Sequence, residues 1–115
     1  MSEVERQLKA LDAQLDASRV HVSLRDAVLR LQKNRDFIKV INEQFLVHEC
    51  ARYVHCSADP ALDPASRADA LAIAQAAGHL KRFLSVMVTM GNHAESQIPD
   101  IEREKDDIRS QEADD

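Results

Sequence analysis

Val4, Leu8, Leu11 and Leu15 recur at intervals of three or four, with Lys9, Asp12, Gln14 and Asp16 between them. That is the period of one helix face, and the stripe is narrow, as in a coiled-coil seam rather than a globular core. Ser2 followed by Glu5 fits a capping box, in which each side chain meets an amide that has no intrahelical partner. The stripe loosens at Ser18 and Arg19, and a second start signal, Ser23 with Asp26, precedes Leu24, Val28 and Leu31. The pattern predicts one long helix to Lys33 or two helices broken near residues 20–22. One helix with a local irregularity is the preferred reading.

KNRD, residues 33–36, marks the first boundary. Asn34 suits a left-handed C-terminal cap, and Asp36 suits the cap of the next helix. Over residues 37–54, Phe37, Ile41, Phe45 and Leu46 form one apolar face. Ile38, Val40, Val47, Ala51 and Val54 spread apolar surface round much of the cylinder, so this helix is expected to be covered on more than one side. In SADPALDPAS, Asp59-Pro60 and Asp63-Pro64 each disfavour helix before the proline and favour its first turn after it. A long helix is therefore expected from Pro64.

Along that helix Ala70, Ile73, Ala77, Leu80, Leu84, Met87, Gly91, Ala94, Ile98 and Ile101 alternate by three and four, with no charged member. More than four heptads of this kind predict close packing along one face. Ala77, Gly91 and Ala94 are small enough for a neighbouring backbone to approach, while Phe83, Val86 and Met90 widen the apolar flank. Pro99 lacks an amide and is expected to interrupt the helix. Ile101 and Ile108 keep the phase beyond it, so helix is expected to resume before a frayed acidic tail. The organisation read from these signals is an amphipathic helix at 1–33, a hairpin core at 34–98 and an acidic segment at 99–115. The fold class is all-α: an elongated helical hairpin or three-helix bundle with coiled-coil-like packing. The helix from Phe37 runs antiparallel to the helix from Pro64, and the N-terminal helix extends or docks beside them.

Composition narrows the function. A chain of 115 residues suits one domain, and two Gly with three Pro leave little material for tight turns. Few Gly-bounded β-branched runs exist to suggest a sheet. The formal net charge of -5 argues against a groove that tracks nucleic-acid phosphates. No apolar run reaches the length of a membrane span. The start, MSEVERQLKALDAQL, is polar and periodic, unlike a signal peptide. Two Cys without a secretory signal imply free thiols in a reducing compartment.

The densest chemistry is HECARYVHC, residues 48–56. On a helix His48 and His55 share a face but stand roughly 10 Å apart along the axis, too far to share one ion at about 2 Å. His48 and Cys50 point to opposing sides, and the spacing is not that of a zinc motif. A Cys nucleophile would need an orienting third group, which nothing supplies. These residues read as packing and helix-end positions, consistent with a basic side chain near a helix C-terminus. His79 and His93 lie beside the heptad stripe as interface-edge or solvated residues. Glu43, Glu49 and Glu95 lack a His three positions on, so the di-iron bundle motif is absent. Two glycines leave no room for a phosphate-binding loop or a nucleophile elbow. No catalytic residue, metal ligand or cofactor is expected. One basic cluster remains at Arg30, Lys33, Arg35 and Lys39, with Arg25 upstream.

Residues 34–62, NRDFIKVINEQFLVHECARYVHCSADPAL, resemble a segment of small, mostly uncharacterised all-helical proteins encoded among virion genes of tailed bacteriophages. In those, an NRDF-like start leads into an apolar helix, an acidic-Ala-Arg step and a loop ending in ADP. AAGHLKRFLSVMVTMGNHAE is similar to their second helix, with Gly78 and Gly91 at matching places. HEC and HC depart from that pattern, which carries Lys, Glu or apolar residues there. The resemblance spans about the middle half of the chain and carries over no catalytic residue. It implies a particle component or assembly factor in the virion or host cytoplasm, not an enzyme.

The expectation is a non-enzymatic structural or assembly protein that binds itself or another virion protein, without membrane contact. Its interface residues would be Leu8, Leu11, Leu15, Ile73, Leu80, Leu84, Met87, Gly91, Ala94 and Ile98. The alternative is a small nucleic-acid-binding or DNA-packaging factor using Arg30, Lys33, Arg35 and Lys39.

Overall fold

The structure, a computed structural model, describes residues 2–114. Among these residues every regular element is a helix, and the fold is all-α with antiparallel, coiled-coil-like packing. Helix α1 spans Glu3–Lys33. Helix α2 is built from three segments without a break, Arg35–Phe37, Ile38–Glu49 and Cys50–Ser57, and α3 spans Pro64–Asp114.

The start of α1 is capped as its sequence predicts, with Ser2 Oγ accepting the Glu5 amide at 3.1 Å. Glu3 and Glu5 lie in its first turn, with Arg30 and Lys33 in its last, an order that complements the helix dipole. The helix passes through residues 20–22 without a break. Asn34 does not form the expected left-handed cap. It is extended, with φ -75° and ψ 125°, and its side chain accepts the Phe37 amide at 3.0 Å, so it opens α2 instead. Asp36, expected as that cap, lies in the first turn. The Asn34 amide still closes α1 by donating to Leu31 O at 3.0 Å, so one extended residue serves both helix ends.

Within α2, Ile38–Glu49 winds as a π-helix. Half-buried residues fall in pairs at 37–38, 41–42, 45–46 and 49–50. A set spaced by four drifts round an α-helix of 3.6 residues per turn, and slower i→i+5 winding opposes that drift. Residues seven apart, which stack on an α-helix, no longer share one side across this stretch. The linker is held by two aspartates. Asp59 accepts the Ala61 amide at 2.9 Å, and Asp63 accepts the Ser66 amide at 2.7 Å to cap α3, which starts at Pro64 as expected.

The chain forms two compact units. One joins residues 1–27 to residues 87–115. Here Asp12 pairs with Lys105, Arg19 with Glu102 at 3.8 Å and Arg25 with Glu95. One number rises as the other falls, so the helices run antiparallel. Leu11, Leu15 and Ile101 form the core, with Ile98 and Ile108 packed against it. Pro99 does not interrupt α3, and the acidic segment is helical to Asp114 rather than frayed. Proline in a helix interior costs about 3 kcal/mol. Here its neighbours Ile98 and Ile101 are anchored on Leu11 and Leu15, and Pro99 itself is exposed.

The other unit, Val28–Val86, holds a hairpin of α2 against the first half of α3. Cys50 Sγ lies 3.6 Å from Ala74 O, linking the two arms. Its buried apolar residues are Val28, Ala70, Ala74, Ala77 and Leu84, so the core is rich in alanine.

Candidate interaction surface

An alanine seam lets two helices approach closely but removes little apolar area from water. In the Val28–Val86 unit the consequence is visible on α2, none of whose residues is fully buried. Val40, Val47 and Val54 are 56%, 58% and 49% exposed, and on α3 Leu71 and Phe83 are 46% and 55% exposed. The helix expected to be covered on more than one side is covered on only one. Its apolar residues on the remaining circumference face solvent.

The residues expected to make an intermolecular interface are mostly used within the chain. Leu11, Leu15, Leu84, Gly91 and Ala94 are buried, and Leu8, Leu80, Met87 and Ile98 are half-buried. Ile73 stays 38% exposed. The heptad stripe of α3 is thus largely an internal seam, served by α1 in one unit and by the hairpin in the other. The uncovered surface lies beside it.

At Gly91 the helices of the first unit approach closely. A Cβ built there would lie 2.2 Å from Arg25 Cβ. The Arg25 side chain, 11% exposed, lies across this glycine and is held on three sides. Its Nε and Nη2 donate to Asp26 at 3.1 and 3.0 Å, Nη1 donates to Asn92 at 3.0 Å, and Glu95 pairs with Nη1. The hydrogen bond that Arg25 donates to Glu95, then that to Asp26, raises the Arg25 pKa above its already high ordinary value. Arg25 is therefore a structural cation and does not belong with the basic cluster downstream. The small residue at 91 was legible as a site of close approach. That an arginine would fill it was not, because Arg25 reads as a surface residue until its partners on α3 are known.

The remaining basic residues form a corner. Arg30, Lys33, Arg35 and Lys39 are exposed and make no ion pair among the described residues. Lys33, Arg35 and Lys39 line a shallow groove of about 510 Å³ with Ile38 and Glu43.

The His/Cys stretch does not converge. His48 and His55 are exposed on α2, which continues past both to Ser57. Cys50 and Cys56 are free and half-buried. Arg52 pairs with Glu49 at 2.8 Å and lies 4.3 Å above the Tyr53 ring. The hydrogen bond from Arg52 holds the Glu49 carboxyl below the usual carboxylate range. Among the described residues no group of three His, Cys, Asp or Glu side chains is placed to hold a metal ion. His79 is exposed, and His93 faces a groove of about 430 Å³ in the first unit with Gln14, Ser18 and His21. His21 Nδ1 is buried without a hydrogen-bond partner among the described residues. No helix among the described residues is long and apolar enough to cross a membrane.

No family model, curated protein or solved structure matches the chain.

Proposed function

We propose that this is a non-enzymatic helical assembly protein, a small component of a tailed-bacteriophage virion, which acts by self-association or by binding another virion protein. The observation that carries this reading is the set of apolar side chains left uncovered on the Val28–Val86 unit, above all Val47, Val54 and Phe83, with Val40 exposed on another side of α2. Full burial of such a side chain contributes about 1.5–3 kcal/mol, so covering half-exposed ones yields roughly 1 kcal/mol each. Several together supply the centre of a protein interface, where apolar and aromatic residues are enriched. The likeness of residues 34–62 and 76–95 to phage virion-gene proteins supports the setting, in the particle or the host cytoplasm.

Sedimentation of Val47→Glu and Phe83→Glu variants tests the reading. Both side chains are exposed, so helix content should be unchanged while association weakens. Unchanged association in both variants would count against it.

A second reading is favoured by one observation, the unpaired basic groove at Lys33, Arg35 and Lys39. It takes the chain as a nucleic-acid-binding or DNA-packaging factor. Binding of duplex DNA that weakens with salt and is lost on combined replacement of Arg30, Lys33 and Arg35 is its expected signature. No measurable affinity at low salt removes it.

A further inference from the structure

Charge in this chain is separated along its length. Residues 100–115 carry eight carboxylates against three basic side chains, a net of -5 that equals the formal charge of the whole chain. The other 99 residues therefore balance to zero. Within that balance, residues 30–39 hold four basic side chains and one acid, Asp36. The chain thus has one strongly acidic end and one basic corner.

Neither is fully neutralised. None of the four corner cations forms an ion pair among the described residues, and neither do Asp107 and Glu112 near the end of α3. The carbonyl end of α3 adds the negative pole of its dipole to these carboxylates. The corner groove offers Lys33, Arg35 and Lys39 round the half-buried Ile38, and Lys39 adjoins the exposed Val40. The basic groove thus lies on the same unit as the uncovered apolar side chains that the self-association reading uses.

We propose that the groove at Lys33, Arg35 and Lys39 receives the acidic C-terminal end of α3 from a second copy of the chain, joining copies head to tail. The proposal rests on the self-association reading and adds its direction. The second copy is the occupant because its charge is complementary, whereas a nucleic acid would meet a chain of net charge -5. A contact between two different patches is heterologous, so it generates a ring if the rotation closes and a filament if it does not.

Charge exchange on the full chain tests this. One variant carries Lys33→Glu, Arg35→Glu and Lys39→Glu; another carries Asp107→Lys, Glu112→Lys and Asp114→Lys. Circular dichroism checks that each folds, and sedimentation equilibrium at low salt reads association. Each variant alone should associate at least tenfold more weakly than the native chain, and an equimolar mixture should recover association, because each then offers the other an opposite charge at both sites. The recovery should vanish at about 1 M salt, where the screening length falls to about 3 Å. Association unchanged in both variants overturns the head-to-tail contact but leaves the apolar reading standing. A native chain that stays monomeric at every concentration overturns both. Loss in the corner variant alone, with duplex DNA bound by the native chain, assigns the groove to nucleic acid and overturns the proposal. An effect of the replacements on stability that is independent of concentration, without any on association, overturns it in favour of a contact within one chain.

Discussion

The two glycines of α3 should respond to alanine with opposite signs. In a helix interior alanine is favoured over glycine by about 1 kcal/mol. A Cβ at Gly78 would meet nothing within 4 Å, so Gly78→Ala should stabilise by roughly 0.5–1 kcal/mol. At Gly91 the added Cβ would lie 2.2 Å from Arg25 Cβ and 2.9 Å from both Cγ and Cδ, where ordinary contact begins at 3.4 Å. The nearest of these atoms is bonded directly to the backbone of α1, so swinging the arginine aside does not relieve it. The helices must part by more than an ångström. Overpacking of this kind costs about 1–3 kcal/mol, and with the propensity gain subtracted Gly91→Ala should destabilise by up to about 2 kcal/mol. Urea unfolding followed at 222 nm measures both. With slopes of about 1–3 kcal/mol/M, the midpoints should move in opposite directions by a few tenths to about 2 M at most. A double-mutant cycle sharpens the test. Arg25→Ala keeps its Cβ, so Gly91→Ala should be as harmful in that background as in the native chain. Arg25→Gly removes the Cβ, and there Gly91→Ala should become neutral or stabilising. A Gly91→Ala midpoint at or above that of the native chain would refute the close approach.

Other consequences are read by the same unfolding assay. Pro99→Ala restores a helix amide at an exposed position and should stabilise by about 1–3 kcal/mol; a loss would mean that proline serves the packing of Ile98 and Ile101. Asp63→Ala removes the acceptor of the Ser66 amide and should cost about 1 kcal/mol, while Asp63→Asn should retain most of the cap. The Asp12 carboxyl is held low chiefly by its hydrogen bond from Lys105, and Asp63 by the Ser66 amide. A depressed folded pKa adds stability that is complete above the unfolded value and disappears as pH falls through the folded one. Stability should therefore hold from pH 7 to about 5 and decline below about 4, and Asp12→Asn with Asp63→Asn should flatten that decline.

Local chemistry announced the ends of the elements. Ser2 and the Asp63-Pro64 step each cap a helix by a contact within four residues, which a sequence carries in full. Asn34 was ambiguous because asparagine suits both a left-handed C-terminal cap and an N-cap, and only the backbone of residues 31–37 decides between them. Pro99 reads as a break because its penalty is local, whereas Leu11 and Leu15, which pack with its neighbours Ile98 and Ile101, lie almost ninety residues away in the sequence. The heptads of α3 predicted a buried seam correctly but could not name its partner. Half of the seam faces α1 and half faces α2. The apolar circumference of α2 was also visible, in Val40, Val47 and Val54. What the sequence could not reveal is that alanines opposite it, at positions 70, 74 and 77, would build so small a core that these valines remain uncovered.

That uncovered surface is the centre of the functional proposal, and absolute mass in solution tests it most directly. Light scattering behind a sizing column, over a concentration series at physiological salt, should give a mass above the 12.9 kDa of one chain that rises with concentration, a discrete multiple of it if the copies close into a ring. A mass that stays at one chain throughout, with Val47→Glu and Phe83→Glu eluting identically to the native protein, would contradict self-association through this face.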